Sequence, residues 1–398
     1  MDGAHGSCGG SRRRFLRTAA ATGTALAVAD GLRAAPPEEK VPAVTLGKTG
    51  QKVTKLGMGT SWALSPSFVQ AALFAGVRYI DTSESYENTR SERVVGEVLD
   101  RTGLRKDVYL VSKCAAYRRS GGPDAGRVFE EHLAPSLERL KTDYLDCYYI
   151  HGIAGNQIDM LRDPSVRAAF ERMKQAGKIR FAGLSCHDAM LPQILEAAAE
   201  AGWIDQVMFK YNFRDVDHDA LQRAVDKVAR ANLGLVAMKT QGGAGNFPEK
   251  MAALQAQGFK KEVAAIKTVW MDNRMQVVVS EMTNFSDLRE NVAASRDPLT
   301  PKEARLLEEH RQKTAHLYCH GCGHLCESAA RGVPVATVLR YLRYYAVYGK
   351  RQEARALYQA LPPEARDLAA ADLAAAERAC PHGLPVVDLV RTADRQLS

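Results

Sequence analysis

The chain has 398 residues, 54 Lys and Arg against 46 Asp and Glu, a formal net charge of +8 and 46% hydrophobic residues. Such proportions exclude a disordered or collagen-like chain and suit a globular body of two domains; beyond the N-terminal segment no run is apolar enough to span a bilayer, so an integral membrane protein is not expected. The mild positive excess is scattered along helical faces and argues against nucleic acid as a partner.

The first feature in chain order is Ser11-Arg12-Arg13-Arg14-Phe15-Leu16-Arg17, followed by a weakly apolar run from Thr18 to Ala29. A basic head, a Phe-Leu pair and an Ala/Thr-rich core too short for a membrane span read as a twin-arginine export signal over residues 1–35. Cleavage is expected near Arg33-Ala34-Ala35, and Pro36-Pro37 would then open the mature chain. A disordered basic arm is the alternative. Losing residues 1–35, with five arginines and two aspartates, lowers the formal charge from +8 to +5. The signal makes the twin-arginine translocation machinery an expected partner and a periplasmic or otherwise exported location the expected one.

From about residue 44 to 297, short apolar runs alternate with amphipathic stretches. Leu46 to Val53 reads as a glycine-containing hairpin that caps a barrel floor. Strands are expected at Lys55 to Thr60, Val77 to Asp81, Val108 to Lys113, Leu145 to His151, Phe181 to Ser185, Gln206 to Tyr211, Leu235 to Met238 and Gln276 to Val279. In the helix from Val128 to Leu140, Val128, Leu133, Leu137 and Leu140 recur at helical spacing, with Glu130, Glu131, Glu138 and Arg139 facing outward. Eight strands with helices between them give the α/β fold class and a (β/α)8 TIM barrel.

Chemistry in such a barrel gathers at the C-terminal ends of the strands. There the second strand ends in Asp81-Thr82-Ser83-Glu84-Ser85-Tyr86, the third in Ser112-Lys113 and the fourth in Ile150-His151. Asp81, Tyr86, Lys113 and His151 converge on one mouth. As hydride reaches a carbonyl carbon, charge builds on oxygen and a proton must be donated. A free phenol, with pKa about 10, is a weak acid unless a cation favours its ionised form. Tyr86 is the candidate donor, Lys113 the cation that tunes it, Asp81 the group that holds the lysine, and His151 a group that either binds the substrate oxygen or joins the proton path.

Beyond Asp297-Pro298, Thr300 and Pro301 start a helix, and residues 298–398 read as a mainly helical second domain. Tyr341, Tyr344, Tyr345 and Tyr348 are expected as core aromatics. Cys319, Cys322 and Cys326 are closely spaced among glycines, and Cys380 precedes Pro381. Short-spaced thiolates closed by a distant Cys-Pro suit a single 4Fe-4S cluster. Zinc, with help from His320 or His324, and unligated thiols are the alternatives. Cys114, Cys147 and Cys186, set in apolar strands, are expected to pack as small hydrophobes.

Residues 44 to 295 resemble the aldo-keto reductase superfamily. Gly76-Val77-Arg78-Tyr79-Ile80-Asp81-Thr82-Ser83-Glu84-Ser85-Tyr86, with Ser91-Glu92 and Gly96, looks like that family's signature; Leu145 to His151 and Gly177 to Ser185 look like its fourth and fifth strands. The resemblance implies an oxidoreductase acting on an aldehyde, a ketone or the matching alcohol, with NAD(H) or NADP(H) extended across the mouth. The cysteines suggest the branch with a ferredoxin-like extension, for which a redox partner protein is expected. The implied cofactor-binding positions are Ser185, Cys186, Met238, Lys239, Asp287 and Asn291. Cys186, Met208 and Met238 depart from the asparagine, glutamine and aromatic common in the family. Glu281 and Asp287 would repel a 2′-phosphate, while Lys239 and Arg289 would attract one. The competing reading is a cluster-bearing electron-transfer or binding protein whose barrel no longer holds nicotinamide.

Overall fold

The computed structural model describes residues 41–62, 65–119, 125–242, 252 and 256–398; the export-signal reading lies outside them. Lys40–Ser398 form one compact unit. It opens with the antiparallel hairpin β1 (Ala43–Thr45) and β2 (Lys52–Thr54). Next come the barrel strands β3 (Leu56–Gly59), β4 (Tyr79–Asp81), β5 (Tyr109–Cys114), β6 (Leu145–Ile150), β7 (Ile179–Cys186), β8 (Gln206–Lys210), β9 (Gly234–Met238) and β10 (Val277–Ser280). All eight pair in parallel, and β10 closes on β3. Each expected strand is present.

Period-two alternation sorts the strand residues into two layers. Leu56, Met58, Ile80, Leu110, Tyr148, Ile150, Leu184, Val207 and Leu235 belong to the core between strands and helices. Tyr79, Tyr109, Val111, Cys147, Tyr149, Met208, Val236, Val277 and Val279 form a second cluster that fills the barrel, joined by Leu46 and Val53 of the hairpin. Three tyrosines need space inside so narrow a barrel, and Gly183 provides some of it: a Cβ there would lie 2.4 Å from the Tyr149 ring. Their hydroxyls are satisfied internally, Tyr79 to Tyr149 at 3.2 Å and Gln206 Nε2 donating to Tyr109 at 3.1 Å. The hairpin seals the floor through Lys48 N–H to Asn232 O at 2.5 Å and through Gly47, whose φ of +45° and backbone approach to Leu233 admit no side chain.

The surrounding described helices are α1 (Pro66–Phe74), α2 (Arg90–Thr102), α3 (Ala125–Arg139), α4 (Pro164–Gln175), α5 (Leu191–Ala201), α6 (Asp219–Arg230), α7 (Lys261–Met271) and α8 (Phe285–Ala294). On α3, Leu133 and Leu137 are buried as the spacing predicts, while Arg139 departs from its expected outward position. Its Nε lies 2.6 Å from Glu92, a fully buried carboxylate that cannot remain there without a cation.

The C-terminal segment begins with α9 (Pro301–Lys313), whose first turn is closed by a reciprocal Thr300–Glu303 capping box. It continues as α10 (Gly323–Cys326), α11 (Val335–Ala346), α12 (Arg351–Gln359), α13 (Leu373–Arg378) and α14 (Val386–Leu397). Helices α10 to α14 enclose their own apolar cluster, centred on Val338, Leu339, Tyr358, Leu384 and Val390. Tyr341, Tyr344 and Tyr345 pack against this cluster only in part. Among the described residues no helix is long and apolar enough to cross a membrane.

Candidate active site and candidate metal centre

Asp81 ends β4 and Lys113 lies one residue before the end of β5, both pointing into the barrel and both almost fully buried. Lys113 Nζ lies 2.7 Å from the Asp81 carboxylate, 2.8 Å from Thr82 O and 3.1 Å from Tyr86 Oη. It is also 4.6 Å from the centre of the Tyr86 ring. His151 follows β6 and meets Tyr86 edge-on, with ring centres 5.5 Å apart. All four predicted residues are brought together.

The electrostatics differ from the simple expectation that the lysine lowers the phenol. Burial, then the charges of Asp81 and Glu281, push Tyr86 well above its usual value. Burial also pulls Lys113 down and Asp81 up, each opposed by the attraction of the other. Asp81 thus offsets much of the lysine's field at rest, and Tyr86 stays a neutral phenol. The same lysine remains in contact with the phenol oxygen, where it stabilises charge only as the proton departs.

Sequence reasoning missed the groups that hold this constellation. Ser83 Oγ lies 2.9 Å and Ser85 Oγ 3.2 Å from His151 Nδ1, so two hydroxyls orient the imidazole. Glu84 accepts from Ala115 N–H at 2.9 Å and meets His132 Nδ1 at 2.7 Å, tying the loop after β4 to β5 and α3. Ser91 Oγ bridges Thr60 and Thr82 at 2.7 Å each, and Glu92 accepts from Ser112 at 2.5 Å. Glu87, Asn88 and Thr89, immediately after Tyr86, all have positive φ, a run that costs non-glycine residues about 1 kcal/mol each. The alternating serines between Asp81 and Tyr86 were the one signal in the sequence for the histidine's support.

The implied cofactor positions are engaged within the chain. Ser185 Oγ accepts from Gly152 N–H at 2.8 Å. Cys186 faces the helix layer, not the mouth, as its fully buried place in the outer core shows; burial raises its thiol to about 12. Asn291 is buried and donates to Ser280 Oγ at 2.9 Å. Asp287 accepts from Thr283 and Asn284 at the start of α8. Met238 borders the barrel-filling cluster, and Lys239 Nζ lies 3.0 Å from Tyr344 Oη of α11. Glu281 accepts from Ser61 Oγ at 2.6 Å.

The C-terminal segment lies over the strand ends. Arg340 donates to His187 O at 2.9 Å, Arg343 to Gly242 O at 3.1 Å and Lys350 to Ser61 O at 3.1 Å. These contacts spread from the end of β7 past β9 to the end of β3. Tyr344, expected as a core aromatic, thus packs in part against the C-terminal cluster and also contacts Lys239 of the barrel. Asp81, Tyr86, Lys113 and His151 thus lie together at the mouth, while Ser185, Lys239 and Asn291 make contacts within the chain.

Cys319, Cys322, Cys326 and Cys380 line one cavity with His320, Leu325, Leu339, His382 and Val386. Burial raises the thiols of Cys322 to about 11 and Cys326 to about 12, so a bound cation is needed to favour their thiolates. His320 stacks on His382 with ring centres 3.5 Å apart, and burial with the nearby cations lowers it to about 2. The side chain of His324 lies outside the described residues. Among the described residues, the group of three whose ligand atoms lie within 4.8 Å of one another is Glu84, Cys114 and His132. The four cysteines thus share one cavity with His320 and His382 beside them.

Residues 57–272, more than half of the chain, match the model of the aldo/keto reductase family. L-galactose dehydrogenase of Arabidopsis thaliana is 26% identical over 285 residues, covering 64% of this chain and 88% of that protein. Methylglyoxal reductase YeaE of Escherichia coli is 33% identical over 181 residues, covering 45% of this chain and 60% of its own. A solved aldo/keto reductase from Klebsiella pneumoniae, in complex with NADP and acetate, superposes with a TM-score of 0.52 at 25% identity, covering 68% of this chain and 95% of that one.

Proposed function

This chain belongs to the aldo/keto reductase family, and we propose that it is an exported oxidoreductase that interconverts an aldehyde or ketone with its alcohol and carries a 4Fe-4S cluster. The observation that carries the catalytic reading is Lys113 Nζ lying 2.7 Å from Asp81 and 3.1 Å from Tyr86 Oη. In reduction, His151, oriented through Nδ1 by Ser83 and Ser85, binds the carbonyl oxygen, and Tyr86 donates the proton as charge develops there. Lys113 stabilises the phenolate left behind, and Asp81 holds Lys113 in place. A reduced nicotinamide, when bound, supplies the hydride; the NADP held by the Klebsiella relative supports that choice. Cys319, Cys322, Cys326 and Cys380 hold the cluster in this reading, which supplies one-electron exchange with a redox partner protein or a clasp for the C-terminal helices. Export rests on the Ser11 to Arg17 motif alone.

The engaged states of Ser185, Lys239 and Asn291 favour a second reading, an electron-transfer or binding protein whose barrel takes no nicotinamide. Anaerobically purified protein separates the two through its NAD(H) and NADP(H) content, titration with added cofactor, and acid-labile sulfide. Retained or titratable nicotinamide with carbonyl turnover supports the reductase; sulfide and iron without either leaves the second reading. Zinc without sulfide refutes the cluster in both. For export, a reporter fused to residues 1–35 should cross the membrane and should be retained inside by Arg12→Lys/Arg13→Lys.

A further inference from the structure

At the end of β9, Lys239 adopts φ +56°, a conformation unfavourable for a side chain of its type. The strained backbone presents its ammonium to Tyr344 Oη at 3.0 Å and to the face of that ring at 5.0 Å. Arg340, one helical turn before Tyr344 on α11, donates to His187 O and sits within 3.4 Å of Thr337 Oγ1, while its buried Nε has no hydrogen-bond partner. Neither cation has an ion pair within 4.0 Å among the described residues. Lys239, following β9, and Arg340, on α11, are thus brought to the same side of the barrel mouth, where Lys239 meets Tyr344 and the Arg340 guanidinium lies 5.3 Å from the centre of the Tyr341 ring. Lys239 and Arg340 both pull the Tyr344 phenol below its usual value against the effect of burial. The arrangement favours added negative charge, and Tyr344 is close enough to Tyr86 to act on its ionisation.

We propose that Lys239 and Arg340, with Tyr344 between them, form a subsite for the carboxylate of an anionic carbonyl substrate of the 2-oxo acid class, so that the C-terminal helix completes the specificity pocket of the barrel. The assignment rests on the oxidoreductase reading and supplies its substrate class. A carboxylate suits the place better than a phosphate group, because the nearby Glu281 penalises a doubly charged ligand more than a singly charged one. Its second oxygen can take the Arg340 Nε–H that lacks a partner, as guanidinium groups favour two-point contact with carboxylates.

The test compares benzoylformate with its neutral methyl ester by calorimetry on the full chain. Wild-type protein should bind the acid at least about ten-fold more tightly than the ester, as expected for a charge-assisted contact. Lys239→Gly should abolish the preference without harming the fold, since glycine adopts the positive φ freely. Lys239→Arg should retain the preference, and Arg340→Gln should reduce it. Equal binding of acid and ester to the wild type overturns the subsite, as does a preference that survives Lys239→Gly. Loss of NADH binding with unchanged benzoylformate binding in Lys239→Gly also overturns it, by assigning the cations to a cofactor phosphate. A clear acid preference with no turnover of either compound in the presence of reduced nicotinamide keeps an anion-binding site but overturns its assignment to a 2-oxo acid substrate, whereas turnover of other aldehydes or ketones still tests the reductase reading separately.

Discussion

Tyr86 is caught between two demands, since a proton donor must hold its proton at rest and release it during reaction. Burial and the Asp81 and Glu281 carboxylates meet the first by raising the phenol; contact with Lys113 Nζ at 3.1 Å meets the second. Because the folded value lies above the ordinary one, the proton is retained below pH 10 and lost only beyond it. Phenolate absorbance near 295 nm should therefore not differ between wild type and Tyr86→Phe as pH rises to 10. A difference that titrates below that point contradicts the assignment of a neutral resting phenol. Removing the donor by Tyr86→Phe should lower carbonyl reduction by roughly 10²–10⁴-fold, the usual share of a general acid, with unfolding midpoint and iron content unchanged. Lys113→Met is expected to impair turnover too, but also to destabilise the protein, because it leaves Asp81 buried with its cation gone.

At the level of elements, the site depends on how closely α2 approaches α3. Gly96 permits that approach, since a Cβ at this position would lie 2.3 Å from Arg139 O and 2.7 Å from the Leu140 backbone. Gly96→Ala is expected to cost about 2 kcal/mol through overpacking against backbone that cannot move aside, read as a lower urea midpoint at constant slope. A midpoint equal to wild type would show that the helices separate without cost. The strands themselves were plain in the sequence, because buried parallel strands are short apolar runs and helix faces repeat every three or four residues. Alternation also carried information that a motif comparison passed over. If Ser185 faces the barrel, Cys186 must face the helices, and it does. What the sequence did not disclose lies in long-range pairing, such as Lys239 with Tyr344 across 105 residues. Local pattern marks an aromatic for burial without naming the surface that buries it.

On the scale of the whole molecule, the proposed cluster would fix the C-terminal helices a second time. One attachment is to the barrel, where Lys210 at the end of β8 donates to His320 O at 2.5 Å and Arg340, Arg343 and Lys350 reach the strand ends. The other is internal, where the proposed cluster would join Cys319, Cys322 and Cys326 to Cys380, a clasp across a long loop whose closure otherwise opposes order. The α10–α14 core is small compared with that of the barrel and lies apart from it. Loss of the cluster should consequently be felt in one part of the chain. In Cys322→Ser, with iron lost, amide exchange should rise by at least about ten-fold across residues 319–397 and stay unchanged in β4 to β7, since local opening follows the stability of each cooperative unit. Faster exchange throughout the barrel would mean that the two parts unfold as one. Unchanged exchange together with lost iron would mean that the barrel contacts alone hold the helices, leaving electron exchange as the cluster's remaining use. If the expected pattern is accompanied by loss of the acid preference at Lys239, the cluster helps set substrate choice by holding Tyr344 and Arg340 over the mouth.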